Sequence, residues 1–155
     1  MAEELEVRWP RVRAWLERVR AAAAEIDPLV REMSAMRDAY DETLTWYTSG
    51  GSASKDTHSD PTAAQAMART QSFGEQMADM QRRLDVLTTT VGECGRVIER
   101  MVTELSDRHR DVIEFYYIDL MPTWSEVACE MGVTYRHVQR LRDESYEWLD
   151  NHVRC

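Results

Sequence analysis

Ten apolar residues between Phe73 and Leu105 are separated by alternating steps of four and three without a miss: Phe73, Met77, Met80, Leu84, Leu87, Val91, Cys94, Ile98, Met101 and Leu105. A step pattern averaging 3.5 residues belongs to an α-helix that packs along a single seam. Written as heptads, Met77, Leu84, Val91, Ile98 and Leu105 occupy one core position, and Phe73, Met80, Leu87, Cys94 and Met101 the other. A narrow apolar stripe of this length cannot be left in water, so the chain must supply a partner helix or pair with a second copy of itself.

The first fifty residues offer that partner. Val12, Leu16, Val19, Ala23, Ile26, Val30, Met33, Tyr40, Leu44 and Tyr47 recur at helical steps, with Met36 substituting where Arg37 breaks the stripe. Pro28 is expected to interrupt or kink this helix, with Asp27 capping its continuation. Between the two stripes, TSGGSASKDTHSDP (48–61) has almost nothing to bury and reads as a loop where the chain reverses. The expectation is therefore a helical hairpin over 1–104, with helices at about 10–47 and 62–104. Trp9, Trp15 and Trp46 are more aromatic surface than one hairpin seam needs, which adds a homodimer to the expectation. Few Gly or Pro and no alternating β-branched run leave strands without support, so the fold class is all-α.

Charge and cysteines exclude several classes. The net charge is −9, so a general basic surface for gripping nucleic acid is absent and any such binding needs a local patch. Cys94, Cys129 and Cys155 are odd in number and widely spaced, which suits a reducing compartment rather than a disulfide framework. The four histidines stand apart from them, so no metal site and no cofactor is expected. No apolar run approaches the roughly 20 residues of a spanning helix, and no signal segment opens the chain. The expected setting is cytoplasmic, with no membrane.

After the seam the chain becomes punctuated. Ser106 is placed to cap a helix carrying Val112, Ile113, Phe115, Tyr116 and Ile118, which must stop before Pro122. Thr123-Trp124-Ser125-Glu126 has the capping-box form and opens a helix through Met131. Gly132 supplies a helix-ending left-handed residue, and Thr134 caps a third helix with Val133 and Val138 as its staple. A connection of only Gly132-Val133-Thr134 forces the two helices to cross steeply. Val127, Met131, Val133, Val138 and Leu141 are where that pair must bury side chains, with small Ala128 at the close approach.

On the other side of the third helix fall Tyr135, Arg136, Gln139 and Arg140. Arg pairs bidentately with guanine and Gln with adenine, while Thr134, the helix N-terminus and His137 suit phosphate. Tyr135 to Arg142 holds three Arg, one His, one Gln and no acid, the local patch that the whole-chain charge lacks. Asp143, Glu144 and Glu147 close it off.

LSDRHRDVIEFYY followed by TWSEVACEMGVTYRHVQRLRDESYEWL resembles region four of bacterial sigma factors. Together with the helical first half, the Gly/Ser loop and the heptad helix, the chain resembles phage and prophage transcriptional regulators of the ArpU/RinA-like type. The resemblance implies a sigma-region-four-like helix-turn-helix domain over 105–155 whose helix from Tyr135 enters the major groove of DNA. The positions that read promoter bases in sigma factors as Arg, Glu and Gln are Tyr135, Arg136 and Arg140 here, so groove docking carries over and the sigma sequence preference does not. With 13 basic and 18 acidic residues in a coiled rod, the first 104 residues hold no region-two-like segment.

The expected function is a sequence-specific DNA-binding regulator, with double-stranded DNA as partner, RNA polymerase as a second one, and Thr134, Tyr135, Arg136, His137, Gln139 and Arg140 as the contact set. Two rivals are a small-terminase-like DNA-packaging protein, which also joins a helix-turn-helix to an oligomerising coil, and a module that binds polymerase without DNA. An enzyme is not expected, because no nucleophile–base, paired-carboxylate, phosphate-loop or metal constellation has sensible spacing.

Overall fold

A computed structural model describes residues 8–49 and 61–154, with side chains described over 8–45 and 63–154. The described residues form an all-helical chain with no strand. Helices α1 (Pro10–Ser49) and α2 (Pro61–Glu104) are followed by α3 (Asp107–Ile113), a π-helical turn (Glu114–Ile118), α4 (Trp124–Met131) and α5 (Tyr135–His152). Both long helices match their expected extents, and the reversal between them lies outside the described residues.

Helix α1 runs through Pro28 without interruption, so Asp27 is mid-helix and caps nothing. The amide that proline lacks would have bonded the carbonyl of Ala24. Ala24 is exposed, so that carbonyl faces solvent and not a dry interior, while the next turns are anchored by buried Leu29 and Met33.

The buried stripe of α1 also differs in phase from the expected one. Ala22 and Leu29 are buried, whereas Val30 is 45% and Leu44 42% exposed. Val12, Val19, Ile26, Met33 and Tyr40 are each seven apart, as are Ala22, Leu29 and Met36. The stripe thus keeps a 3.5-residue period like that of α2, and a reading at 3.6 drifts off it by mid-helix.

Two compact units result, Met1–Ile26 with Leu87–Cys155, and Asp27–Val86. This differs from the expected division at 104/105, because the start of α1 and the end of α2 share a core with the C-terminal helices. In that first unit Val12, Leu16 and Val19 pack with Cys94, Ile98 and Met101, and with Ile113, Tyr117, Tyr146, Trp148 and Leu149. Trp9 meets Tyr146 edge-on at 5.9 Å and Trp15 packs against the same cluster, so two of the three tryptophans assigned to dimerisation are used within the chain. Trp46 lies outside the described side chains.

In the second unit the two helix segments pair directly. Tyr40 stacks on Phe73 at 4.1 Å and 3°, and its hydroxyl is 2.9 Å from Thr70 Oγ1. Phe73, Met77, Met80 and Leu84 are only half-buried here, whereas Cys94, Ile98 and Met101 of the same seam are buried in the first unit. The unbroken heptad is buried according to how many layers stand around it: two helices here, further helices there. Among the described residues no helix is long and apolar enough to cross a membrane.

Candidate nucleic-acid interface

The C-terminal bihelical unit is built by its caps. Thr123 Oγ1 accepts from Glu126 N at 3.2 Å and starts α4. Gly132 ends α4 at φ 66° and ψ 33°, the left-handed geometry that glycine adopts without penalty. Thr134 Oγ1 accepts from His137 N at 3.2 Å and starts α5 two residues later. Val112, Val127, Ala128, Val138 and Leu141 form the buried cluster between the helices, with Met131 and Val133 against it. Every apolar position assigned to the crossing from spacing lies in this cluster.

Ahead of that unit the chain departs from expectation. Ser106 stands at the N-cap of α3, but its hydroxyl makes no cap bond and lies 2.6 Å from His109 Nδ1 instead. The α3 helix lasts seven residues and then widens into the π-helical turn, closed by Asp119 N on Glu114 O at 2.9 Å, before Leu120 turns left-handed at φ 63°. Such a break leaves carbonyls needing donors. Arg20 of α1 supplies them: its guanidinium donates to Tyr116 O and, at 3.1 and 3.2 Å, to Met121 O. It also lies 4.0 Å over the Tyr116 ring, which stacks on Trp124 at 3.9 Å, and Arg142 of α5 stands 5.4 Å from the far partner of that stack. One column of side chains therefore joins α1, the π-turn, α4 and α5. Nothing in the sequence pattern singles out Arg20 among the arginines of α1.

On α5 the apolar face is set by Val138, Leu141, Ser145, Tyr146 and Leu149. At 100° per residue, Arg136 and Arg140 lie directly opposite Val138, with Tyr135 and Gln139 on the flank. Thr134, Tyr135, Arg136 and Arg140 are exposed and Gln139 is half-buried. The amides of Tyr135 and Arg136 open the helix beside them, where the dipole favours an anion. His137 is placed differently from the other five. Its Nδ1 accepts from Arg140 Nη2 at 3.1 Å, so the ring hydrogen is on Nε2, which is enclosed and has no partner among the described residues. The structure thus directs His137 toward support of Arg140 and away from an outward contact.

The three arginines of the patch have different surroundings. The Arg136 side chain makes no hydrogen bond or ion pair among the described residues. Arg140 is held by His137 and stands 3.8 Å from Glu144. Arg142 lies 5.8 Å from the Tyr146 ring as well as near Trp124 and bonds Asp143 at 2.9 Å, so it belongs to the scaffold. Arg110 faces Glu99, Asp107, Asp111 and Glu114, and its hydrogen bond to Asp111 foremost raises its pKa further. Residues 105–155 carry six Arg against ten Asp and Glu, so the positive field is confined to the first two turns of α5. Beyond them Asp143, Glu144 and Glu147 reverse its sign.

The fold also assembles a group that spacing missed. Ser106, His109 and Glu144 form a hydrogen-bonded chain, with His109 Nε2 2.6 Å from Glu144 Oε2. A carboxylate only accepts, so Nε2 carries the hydrogen, and in the neutral ring Nδ1 then accepts from Ser106. The chain fastens α3 to α5; beside it Ser145 Oγ donates to Leu141 O at 2.7 Å and lies 3.4 Å from His109 O. No group of three or more His, Cys, Asp or Glu among the described residues is placed to hold a metal ion. No protein-family model, curated protein or solved structure matches the chain.

Proposed function

We propose that this protein is a sequence-specific DNA-binding transcriptional regulator of the phage or prophage ArpU/RinA-like type, whose bihelical unit acts as a sigma-region-four-like helix-turn-helix. The observation that carries the reading is the outward pair Arg136 and Arg140, opposite Val138 and beside the open N-terminus of α5. An exposed helix face with two arginines one turn apart suits the major groove, where an arginine can reach a guanine edge or a flanking phosphate, while Thr134 and the first amides of α5 take a phosphate. The acidic turn from Asp143 onward limits approach to the first two turns, as in a helix entering a groove by its N-terminal end. A homodimer on paired half-sites adds the affinity that one small cationic patch lacks. Val30 and Met67 of the second unit are exposed large hydrophobic residues, apolar area that such pairing would cover.

The test is titration of a fluorescent duplex library with the full chain and with R136A/R140A. A loss of a few kcal/mol, on the scale of ~1–3 per base-reading side chain, supports the reading; unchanged affinity ends it. A second reading is favoured by the excess of acids over 105–155 and by the exposed Glu126 and Glu130 on α4: a module that docks on a basic surface of RNA polymerase without touching DNA. Binding to polymerase with none to duplex at low salt would select it.

A further inference from the structure

Arg136 and Arg140 face the same way, yet only one of them is held. Arg140 Nη2 donates to His137 Nδ1 at 3.1 Å and its Nε stands 3.8 Å from Glu144 Oε1. Glu144 is itself anchored, because its other oxygen accepts from His109 at 2.6 Å. His109 is buried and its far nitrogen accepts from Ser106 at 2.6 Å. Hydrogen bonds thus link Ser106 to buried His109 and on to Glu144, and an exposed ion pair at 3.8 Å extends the series to Arg140 on the outer face of α5. Nothing comparable holds Arg136.

We propose that Glu144 is a positioning residue that aims the Arg140 guanidinium, so that Arg140 sets base specificity while Arg136 contributes chiefly to affinity. The inference rests on the DNA-binding reading above. A guanidinium held before contact loses less rotamer freedom when it pairs with a base edge, and its planar fork presents two donors in a fixed direction. The same carboxylate lowers the attraction of this face for phosphate, because it places a negative charge beside the arginine. Aim is therefore gained at the expense of general affinity.

These two effects have opposite signs, which separates positioning from mere support of the helix. The experiment is selection from a random-sequence double-stranded DNA library by the wild-type chain, E144Q and R140K, with affinity for a scrambled duplex measured alongside. E144Q keeps the side chain's shape and a hydrogen-bond acceptor for His109; R140K keeps the charge without the fork. The expected result is a motif relaxed at one position by about tenfold in E144Q, the same position in R140K, the scale of one bidentate base contact. Affinity of E144Q for the scrambled duplex should rise at least about twofold. A motif unchanged in E144Q, relaxation at a position that R140K leaves intact, or weaker binding of E144Q to scrambled DNA overturns the assignment. A wild-type selection that enriches no motif overturns the DNA-binding reading itself.

Discussion

Replacing Arg20 by alanine removes a residue of the first helix from bonds it makes about a hundred positions away. The guanidinium serves two carbonyls, Tyr116 O and Met121 O, on either side of the left-handed Leu120, and it covers the Tyr116 ring. Hydrogen bonds from a charged donor contribute about 1.5–3 kcal/mol each when their acceptors are left dry, and a partly desolvated cation over a ring adds about 1. Solvent reaches this edge in part and the contributions share one side chain, so we expect a loss of about 3 kcal/mol for R20A rather than their full sum. Against a total stability of about 5–15 kcal/mol that is large, and it corresponds to a fall in melting temperature of roughly 10 °C. Urea unfolding followed by tryptophan fluorescence reads it, since Trp124 stacks on Tyr116 at the affected point. R20M keeps the apolar stem and should lose nearly as much; R20K keeps the charge and should lose less. Arg18 is exposed and makes no bond among the described residues, so R18A should stay within about 0.5 kcal/mol. A loss below about 1 kcal/mol in R20A, or equal losses in R20A and R18A, would refute the coupling of α1 to the π-turn.

Two further outcomes follow from local geometry. The space where a Cβ would stand on Gly132 is empty to 4 Å, so Gly132→Ala meets only the left-handed backbone penalty of about 1–2 kcal/mol, and Gly132→Asn less; a chemical-denaturation loss above about 3 kcal/mol would show a steric contact instead. Cys94 is fully buried, and burial together with the charge of Glu114 pushes its thiol up to about 12, whereas Cys129 is exposed. Maleimide labelling at neutral pH with peptide mapping should therefore modify Cys129 in the native protein and Cys94 only after denaturation; equal native rates at both would contradict the packing of the first unit.

Much of the architecture is written locally. The heptad steps from Phe73 to Leu105, the paired stripe before the loop, and the punctuation Thr123, Gly132 and Thr134 each act within one or two helical turns. They emerge as the helices, caps and turn of the structure. The crossing cluster was legible because a three-residue turn leaves few ways to bury Val127, Val138 and Leu141. The phase of α1 was not, because alanines and valines at adjacent positions satisfy either a 3.5 or a 3.6 period until a partner selects one. The continuous helix through Pro28 escaped for a similar reason: propensity penalises proline, and tertiary anchors at Leu29 and Met33 outweigh it.

The candidate contact face divides in the same way. Periodicity alone places Arg136 and Arg140 opposite Val138, since a helix fixes which residues share a side. It says nothing of how each arginine is held, and Arg142, counted in the same basic run, belongs to an aromatic stack. The Ser106–His109–Glu144 chain and the Arg20 clamp join residues 35 to about a hundred positions apart. Local sequence determined where helices begin, end and turn, because capping and periodicity act over a few residues. Which arginine stays free, which is aimed and which is built into the scaffold was decided only when packing brought distant carboxylates, rings and carbonyls beside them.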